Sequence, residues 1–299
     1  MHFLYFCQII QQLKKIMLRI AVQAKGRLYE ETMSLLTESD IKLEFGKRLL
    51  LLPARNFPLE VLFLRDDDIP QSVADGVADI GIVGENEYAE KNKKVVITKR
   101  LGFSKCRLSL AIPKEIDYPG ISWFNGKVIA TSYPEILKGF LKKHNVKSDI
   151  HVITGSVEVA PGIGLSDAIF DIVSSGSTLI SNHLKEVEVL MKSEALLIAN
   201  PKLSIEKQFI LDELLFRIES VKMAEDKKYV LMNVPTENID KIIEVLPGMK
   251  SPTIMPLAKE GWNSLHAVID EKRFWDIIVK LKALGAEGIL VVPIEKMIL

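Results

Sequence analysis

The residues best suited to chemistry lie at 171–178, where the apolar run AIFDIV (168–173) gives way to Ser174-Ser175-Gly176-Ser177-Thr178. A strand that turns directly into a helix leaves free backbone N–H groups and the positive end of the helix dipole pointing outward, which suits a phosphate monoester. Gly176 lets the backbone come close to a ligand, and the neighbouring hydroxyls add donors. A lone Ser/Thr-Gly turn more often simply caps its helix. Here Asp171 stands just upstream and Glu158 lies in GSVEVAP (155–161). Carboxylates beside a phosphate seat are costly unless they hold sugar hydroxyls or a Mg2+ ion, and this tips the reading toward a ligand site.

Three more strand-to-helix turns carry polar groups of the right kind. Lys25 and Arg27 flank Gly26, and Thr131-Ser132-Tyr133 offers another helix start with an aromatic ring. Gly81, Gly84, Glu85 and Asn86 follow a third strand, with Asp79 on the strand itself. In open α/β sheets ligands gather beyond the carboxyl ends of the strands, so these turns converge only if the fold brings them there. Taken singly, each cation reads as readily as part of a solvated face. Gly162-Ile163-Gly164 lacks the third glycine of a dinucleotide fingerprint. Cys106 has no base nearby in sequence and reads as structural; His183 reads as a packing or capping residue inside the helix after the turn.

The elements that must position these residues alternate between short apolar runs and helix-period segments from Leu18 to about Lys192. Strands are expected at 18–22, 61–64, 78–84, 107–112, 127–130, 151–155 and 168–173. Helices are expected after Arg27 with Leu28, Thr32, Leu35 and Leu36 inward, from Ile69-Pro70 to Asp75-Gly76, after Pro134, and over TLISNHLKEVEVLM (178–191). Such alternation implies α/β architecture with mostly parallel sheets covered on both faces. From about Ala224 the rhythm changes to β-α-β-β-α-β, with strands at 228–234, 252–258, 264–270 and 289–294. Thr236 is expected to cap its first helix, Asp270 its second, and Gly285 to end the second. This last module offers no nucleophile with a base and reads as a small regulatory domain.

Composition narrows the classes. The 299 residues suggest two or three domains, and 48% hydrophobic with 26% charged residues is an ordinary globular mixture. Thirty-nine basic against thirty-nine acidic residues argue against a chain-wide nucleic-acid surface. Two cysteines, Cys7 and Cys106, cannot build a disulfide framework, and the five histidines show no metal-ligand spacing; a reducing cytoplasm fits. The apolar stretch at 3–10 is too short to span a bilayer, and Lys14 and Lys15 sit on the wrong side for a secretory signal, so no membrane is expected. Residues 1–17 read as an N-terminal extension before a start at Met17, with no share in activity.

Several blocks occur in a telling order: AKGRL (24–28), RDDDIP (65–70), DGVADIGIVGENE (75–87), LGFSKCRLSLAIP (101–113), KVIATSYP (127–134) and GSVEVAPGIGLSDAIFDIVSSGSTLISNHL (155–184). With KSPTIMPL (250–257) and LKALGAEGILVVPIEKM (281–297), the chain from about residue 18 onward resembles the ATP phosphoribosyltransferases of histidine biosynthesis, in their long form. The resemblance implies two periplasmic-binding-protein-like α/β domains around a cleft, plus a C-terminal ferredoxin-like (βαββαβ) domain. The domains would be 18–113 with 194–223, 114–193, and a histidine-binding regulatory domain at 224–299.

It also implies the reaction: N1 of ATP joins C1 of phosphoribosyl pyrophosphate (PRPP), pyrophosphate leaves, and Mg2+ accompanies it. Ser174, Ser175, Gly176, Ser177 and Thr178 inherit the 5-phosphate; Asp171 and Glu158 face the ribose and metal side; Lys25 and Arg27 meet pyrophosphate or ATP phosphates. Asp79, Gly84, Glu85, Arg107, Thr131 and Tyr133 are candidates for the ATP side of the cleft, and Asn233, Ser251, Thr253 and Gly288 for the histidine effector. A homo-oligomer, dimer or hexamer, goes with the family. Ser175, Ser177 and Asn233 depart from residues common in relatives (Thr, Ala and Asp); the last change would weaken histidine inhibition. A solute-binding protein with the same two lobes is the competing reading; the ordered blocks and the module after 224 favour the enzyme.

Overall fold

The computed structural model describes residues 16–44, 50–246 and 252–298. Most of the N-terminal extension, and Ser251 of the effector set, lie outside them. The described chain forms two compact units, one running to Ser34 and including Ile41–Leu211, the other Leu35–Asp40 with the chain from Asp212.

The first unit is built on two sheets. In the first, β1 (Leu18–Gln23) is central, because Leu18, Ile20, Ala21 and Val22 are apolar on both faces and wholly buried. β3 (Leu59–Leu64) and β4 (Ile80–Gly84) flank it in parallel. Helix α1 (Arg27–Glu38) and helix α2 (Ile69–Ala74) occupy the connections. With β2 (Leu51–Pro53), β11 (Ala195–Ala199) and β5 (Val96–Arg100) the order is β2-β3-β1-β4-β11-β5. The second sheet has β10 (Leu184–Ser193), β6 (Cys106–Pro113), β9 (Ala168–Val173), β7 (Val128–Thr131) and β8 (Asp149–Val152), in that spatial order. The chain crosses between the sheets twice, from β5 to β6 and from β10 back to β11. Phe124, Ile129, Leu137 and Phe170 pack one side of the second sheet; Ala130, Val157, Ile169 and Leu179 pack the other.

Four sequence expectations are corrected. The sheets are mixed rather than mostly parallel: β2, β11 and β5 run antiparallel to their neighbours, as do β10 and β6. Neither crossing between the sheets carries a helix, and parallel pairing requires such a crossover. The helix after the Ser/Thr turn, α5, covers only Ser177–Ser181. His183 then takes a left-handed φ of 56°, beyond the helix rather than inside it, and Glu186-Val187-Glu188-Val189 alternates as a strand with β-branched residues should. β8 begins at Asp149, two residues ahead of the expected run, and β5 is an edge strand that the sequence pattern did not single out.

The second unit contains most of helix α6 (Ile205–Ala224) and a four-stranded sheet of β12 (Lys227–Pro235), β13 (Thr253–Pro256), β14 (Trp262–Asp270) and β15 (Glu287–Pro293). The order β13-β14-β12-β15, antiparallel throughout, is ferredoxin-like. Helices α7 (Ile239–Val245) and α8 (Glu271–Ala283) cover one face through Ile242, Phe274, Ile277 and Leu281. Gly285, at φ 86°, ends α8 as expected. Thr236 does not cap a helix: it opens a 3-10 turn, and its hydroxyl accepts from Asn263 Nδ2 at 2.7 Å. Asp270 stands at the start of α8, but its carboxylate pairs with Lys227. No helix of the described residues is long and apolar enough to cross a membrane.

Candidate active site

Ser174, Ser175, Gly176 and Thr178 of the turn, with Asp171 and Glu158, line one pocket of about 280 Å³ at the carboxyl end of β9, and Ser177 stands outside its lining. Ile169 and Val173 anchor the strand in the core, and Leu179 anchors the first turn of α5. Gly176 has φ 83°, a conformation that costs a residue with a Cβ roughly 1–2 kcal/mol. The hydroxyls of Ser175 and Ser177 are 3.0 Å apart, and both are exposed. Burial pushes the Asp171 carboxyl up to about 6; the negative charge of Glu158 adds to the rise, against one backbone hydrogen bond that favours ionisation. Two close carboxylates among exposed donors form a place for sugar hydroxyls or a cation beside an anion.

Behind the turn stands Arg107. Its Nε and Nη2 each donate to Glu186 at 2.6 Å, and Nη1 donates to the Ser174 carbonyl at 3.0 Å. Arg107 also lines a larger cleft of about 670 Å³ with Lys105, Cys106, Lys192, Glu85 and Arg100, and this cleft meets the smaller pocket at Ser174. Both chain crossings between the sheets border it. Arg100 clamps them: it donates to Glu85 and, at 3.1 Å, to Glu194. Burial raises the Cys106 thiol, consistent with a structural residue rather than a reactive one.

Lys25 and Arg27 are exposed at the carboxyl end of β1, and the Arg27 guanidinium donates to the Lys105 carbonyl at 3.1 Å. Gly84 and Glu85 end β4 on the same edge. Asp79 does not join them. It sits at the opposite, amino end of β4, held by Lys207 at 2.7 Å and by the Arg19 N–H at 2.8 Å, and it serves the fold. Thr131 is wholly buried and accepts from the Tyr133 N–H at 2.8 Å, so it shapes the turn instead of reaching into the cleft.

Tyr133 is buried in a polar junction between the two lobes. Helix α3 (Glu85–Lys91) supplies Asn86, whose Nδ2 donates to the Tyr133 hydroxyl at 3.1 Å and whose Oδ1 accepts from Ser193 at 2.9 Å. Glu87 is pushed up to about 7 by burial and by Asp66, with Tyr133 bonding in opposition. Glu90 accepts the first amides of helix α4 (Pro134–Lys143), from Glu135 at 2.9 Å and Ile136 at 3.0 Å. The acidic stretch at 85–90 gave a signal of charge, but nothing in its spacing indicated a buried partner 45 residues away.

In the second unit Asn233 pairs with Ser264 on one side and Glu287 on the other, while Thr253 pairs with His266. A Cβ on Gly288 would come within 3.1 Å of Asn233 Nδ2, and its φ of 58° favours glycine there. Asn233 and Gly288 thus lie on adjacent strands, while Thr253 lies beyond β14 in the same sheet. His266, which the sequence did not single out, bridges Tyr229 at 2.6 Å and Ser264 at 2.9 Å beside them.

The model of the family described as HisG: ATP phosphoribosyltransferase matches residues 65–220, and that of the HisG C-terminal domain matches 224–296. The ATP phosphoribosyltransferase of Phocaeicola vulgatus is 75% identical over 283 residues, 95% of this chain and all of that protein. The Bacteroides fragilis protein of the same name is 74% identical over 95% of this chain and all of its own length. Among solved structures, a chain of the ATP phosphoribosyl transferase (HisG:HisZ) complex from Thermotoga maritima has a TM-score of 0.59 and 29% identity, covering 68% of this chain and 99% of that one. Two α/β lobes, a ferredoxin-like module, both family models and three-quarters identity over almost the whole length agree: the chain belongs to the ATP phosphoribosyltransferase family, in its long form.

Proposed function

We propose how the residues of this site divide the family's reaction, in which N1 of ATP is joined to C1 of PRPP and pyrophosphate is released as the first step of histidine biosynthesis. The Ser174–Thr178 turn receives the 5-phosphate with backbone amides and hydroxyls. Asp171 and Glu158 hold the ribose side, and Lys25 and Arg27 meet the pyrophosphate. Gly84 and Glu85 border the ATP side of the cleft. Tyr133 lies behind it, its hydroxyl already engaged by Asn86.

The chemistry asks mainly for alignment and charge. The N1 lone pair forms the new bond to C1 as the C1–O bond breaks and its electrons leave with pyrophosphate. Positive charge on the ribose faces Asp171 and Glu158, and negative charge on the leaving group faces Lys25 and Arg27. No covalent nucleophile or strong base is needed.

Asp171 and Glu158 suit a divalent cation, because both line the phosphate pocket and neither is ion-paired among the described residues. No cluster of three or more His, Cys, Asp or Glu stands ready to hold a metal among those residues, which matches a Mg2+ carried in by substrate phosphates and met by one or two carboxylates. Bound there, Mg2+ would neutralise the departing pyrophosphate.

The module after 224 is the histidine sensor, with Asn233, Thr253 and Gly288 in its effector site. The protein assembles with further copies of itself, as a dimer or hexamer, and works in the cytoplasm where its substrates are made. The observation that carries the reading is the convergence of the turn, Asp171 and Glu158 on one pocket. Protein mixed with ATP, PRPP and Mg2+ should release pyrophosphate together with a new purine absorbance. PRPP binding without either signal would favour a solute-binding protein instead.

A further inference from the structure

We propose that Arg107 and Glu186 are a positioning pair: Glu186 fixes the guanidinium, and the guanidinium fixes the Ser174 carbonyl so that the next N–H faces the ligand. The inference rests on the reading that the Ser174–Thr178 turn holds the PRPP 5-phosphate, and it names residues that act on that turn without touching substrate.

The geometry is specific. Arg107 and Ser109 lie two apart on β6 and so share a face. Their partners across the sheet are Val173 and Asp171 on β9, the strand that runs into the turn. Glu186, on β10 at the other side of β6, accepts both donors of the guanidinium fork at 2.6 Å and the Ser109 hydroxyl at 2.6 Å. Ser109 is buried, and Glu186 is held below the usual carboxylate range by Arg107, so the fork has a fixed anionic socket. The remaining contact, Nη1 to the Ser174 carbonyl at 3.0 Å, reaches the first residue of the turn.

The Ser174 carbonyl and the Ser175 N–H belong to one planar trans peptide, so they point in opposite directions. Drawing the carbonyl toward Arg107 therefore aims the Ser175 N–H away from it, toward the pocket. Three of the five N–H donors of Arg107 are committed in this way, and its charge is answered by Glu186. A free cation for pyrophosphate or ATP would not be tied so. The bracing separates Arg107 from Lys25, which is exposed on the facing lobe.

The test measures affinity for ribose 5-phosphate and for pyrophosphate separately on the full chain, with KM for PRPP and ATP. Glu186→Gln removes the charge of the socket at nearly constant shape. It should weaken ribose 5-phosphate and raise the PRPP KM by roughly tenfold, the worth of one charge-assisted hydrogen bond, while pyrophosphate affinity and ATP KM stay within about twofold. Arg107→Lys should do the same, and the double variant no more, because the two residues act in series. Ser109→Ala is the milder probe should Glu186→Gln not fold, with a rise of roughly threefold in the same ligand only. Equal losses for both ligands, a matching rise in ATP KM, or additive effects in the double variant would overturn the pairing. Thr178→Ala, measured alongside, separates the layers. If it weakens ribose 5-phosphate while Glu186→Gln does not, the seat stands and the pair is refuted; if Thr178→Ala is silent, the seat itself is elsewhere and the pair falls with it.

Discussion

Replacing Asp171 by Asn is expected to stabilise the free protein at pH 8 while crippling it as an enzyme. Burial, reinforced by Glu158, lifts the Asp171 carboxyl from an ordinary 3.8 to about 6. A raised value means that the folded protein keeps its proton at a pH where the unfolded chain has lost it. Below about pH 3.8 both states are protonated, and Asp171 costs nothing. As the pH rises from 3.8 to about 6, the unfolded chain sheds this proton while the folded state holds it, so stability falls; above about 6 the folded state carries the buried charge and the loss is complete. At 1.36 kcal/mol per pH unit, the distance from 3.8 to about 6 amounts to about 3 kcal/mol by pH 8. Asn has the same size and no charge, so it escapes this cost. Urea unfolding of the ligand-free chain at pH 4.5, 6 and 8 should show the variant ahead by about 1 kcal/mol at the lowest pH, rising to about 3 kcal/mol at the highest. Turnover at saturating PRPP should fall by roughly ten- to a hundredfold, the loss of one charged contact to the reacting sugar. A stability difference that does not change with pH would show that the carboxyl is not strained in the folded state. Normal turnover would remove Asp171 from the ribose.

Other expectations concern the turn and the sensor. Thr178→Ala and Ser175→Ala should each raise the PRPP KM by roughly ten- to a hundredfold, for a charge-assisted bond of about 1.5–3 kcal/mol, with ATP KM little changed in steady-state kinetics. Gly176→Ala has room, since the new Cβ would lie 3.9 Å from Val173, but φ of 83° strains it; PRPP KM should rise several-fold and the melting midpoint drop by a few degrees. Asn233→Asp should restore a carboxylate to the effector strand and lower the histidine concentration for half-inhibition by roughly fivefold, about 1 kcal/mol for a partly exposed ion pair, leaving uninhibited turnover unchanged. An unaltered inhibition curve would take Asn233 out of the sensor.

The fold was legible where one periodicity ruled. β1, α2, β9 and the ferredoxin-like module follow from apolar runs, Pro70, Gly76 and the i, i+3, i+4, i+7 spacing of Ile239, Ile242, Ile243 and Leu246. It was illegible where two patterns competed. Leu179 to Met191 contains enough leucines and charges for a helix, yet Asn182 and His183 break it, and the alternation after them pairs with β6 as a ladder. The strand-to-helix turn at 174–178 could be read because its pattern is local: strand, hydroxyls, glycine and carboxylate within eight residues. The brace behind it could not, since Arg107 and Glu186 are 79 residues apart and meet only because β10 is a strand. Asp79 misled for the complementary reason. A carboxylate near a glycine-bearing strand looks like a ligand group, and only the strand's direction shows that it stands at the wrong end.

The fates of six acidic residues explain why two of them mark the proposed site. Asp79 is answered by Lys207, and Glu186 by Arg107 and Ser109. Glu90 is answered by two helix amides. Glu87, buried without a cation, is driven to about 7, where it can hold a proton and bond to Tyr133; no open space adjoins it in either pocket described above. Asp171 is also driven up, and with Glu158 it lines an open pocket together with Ser174, Ser175, Gly176 and Thr178. An uncompensated charge costs a fold free energy wherever it is buried, and the interior groups here have been paired, capped or neutralised. On the proposed reading, the carboxylates at 158 and 171 wait for a partner that arrives with the substrate. Stability lost in the empty protein reappears as affinity when PRPP binds, so ligand-free Asp171→Asn and the loaded wild type should be the two most stable forms at pH 8.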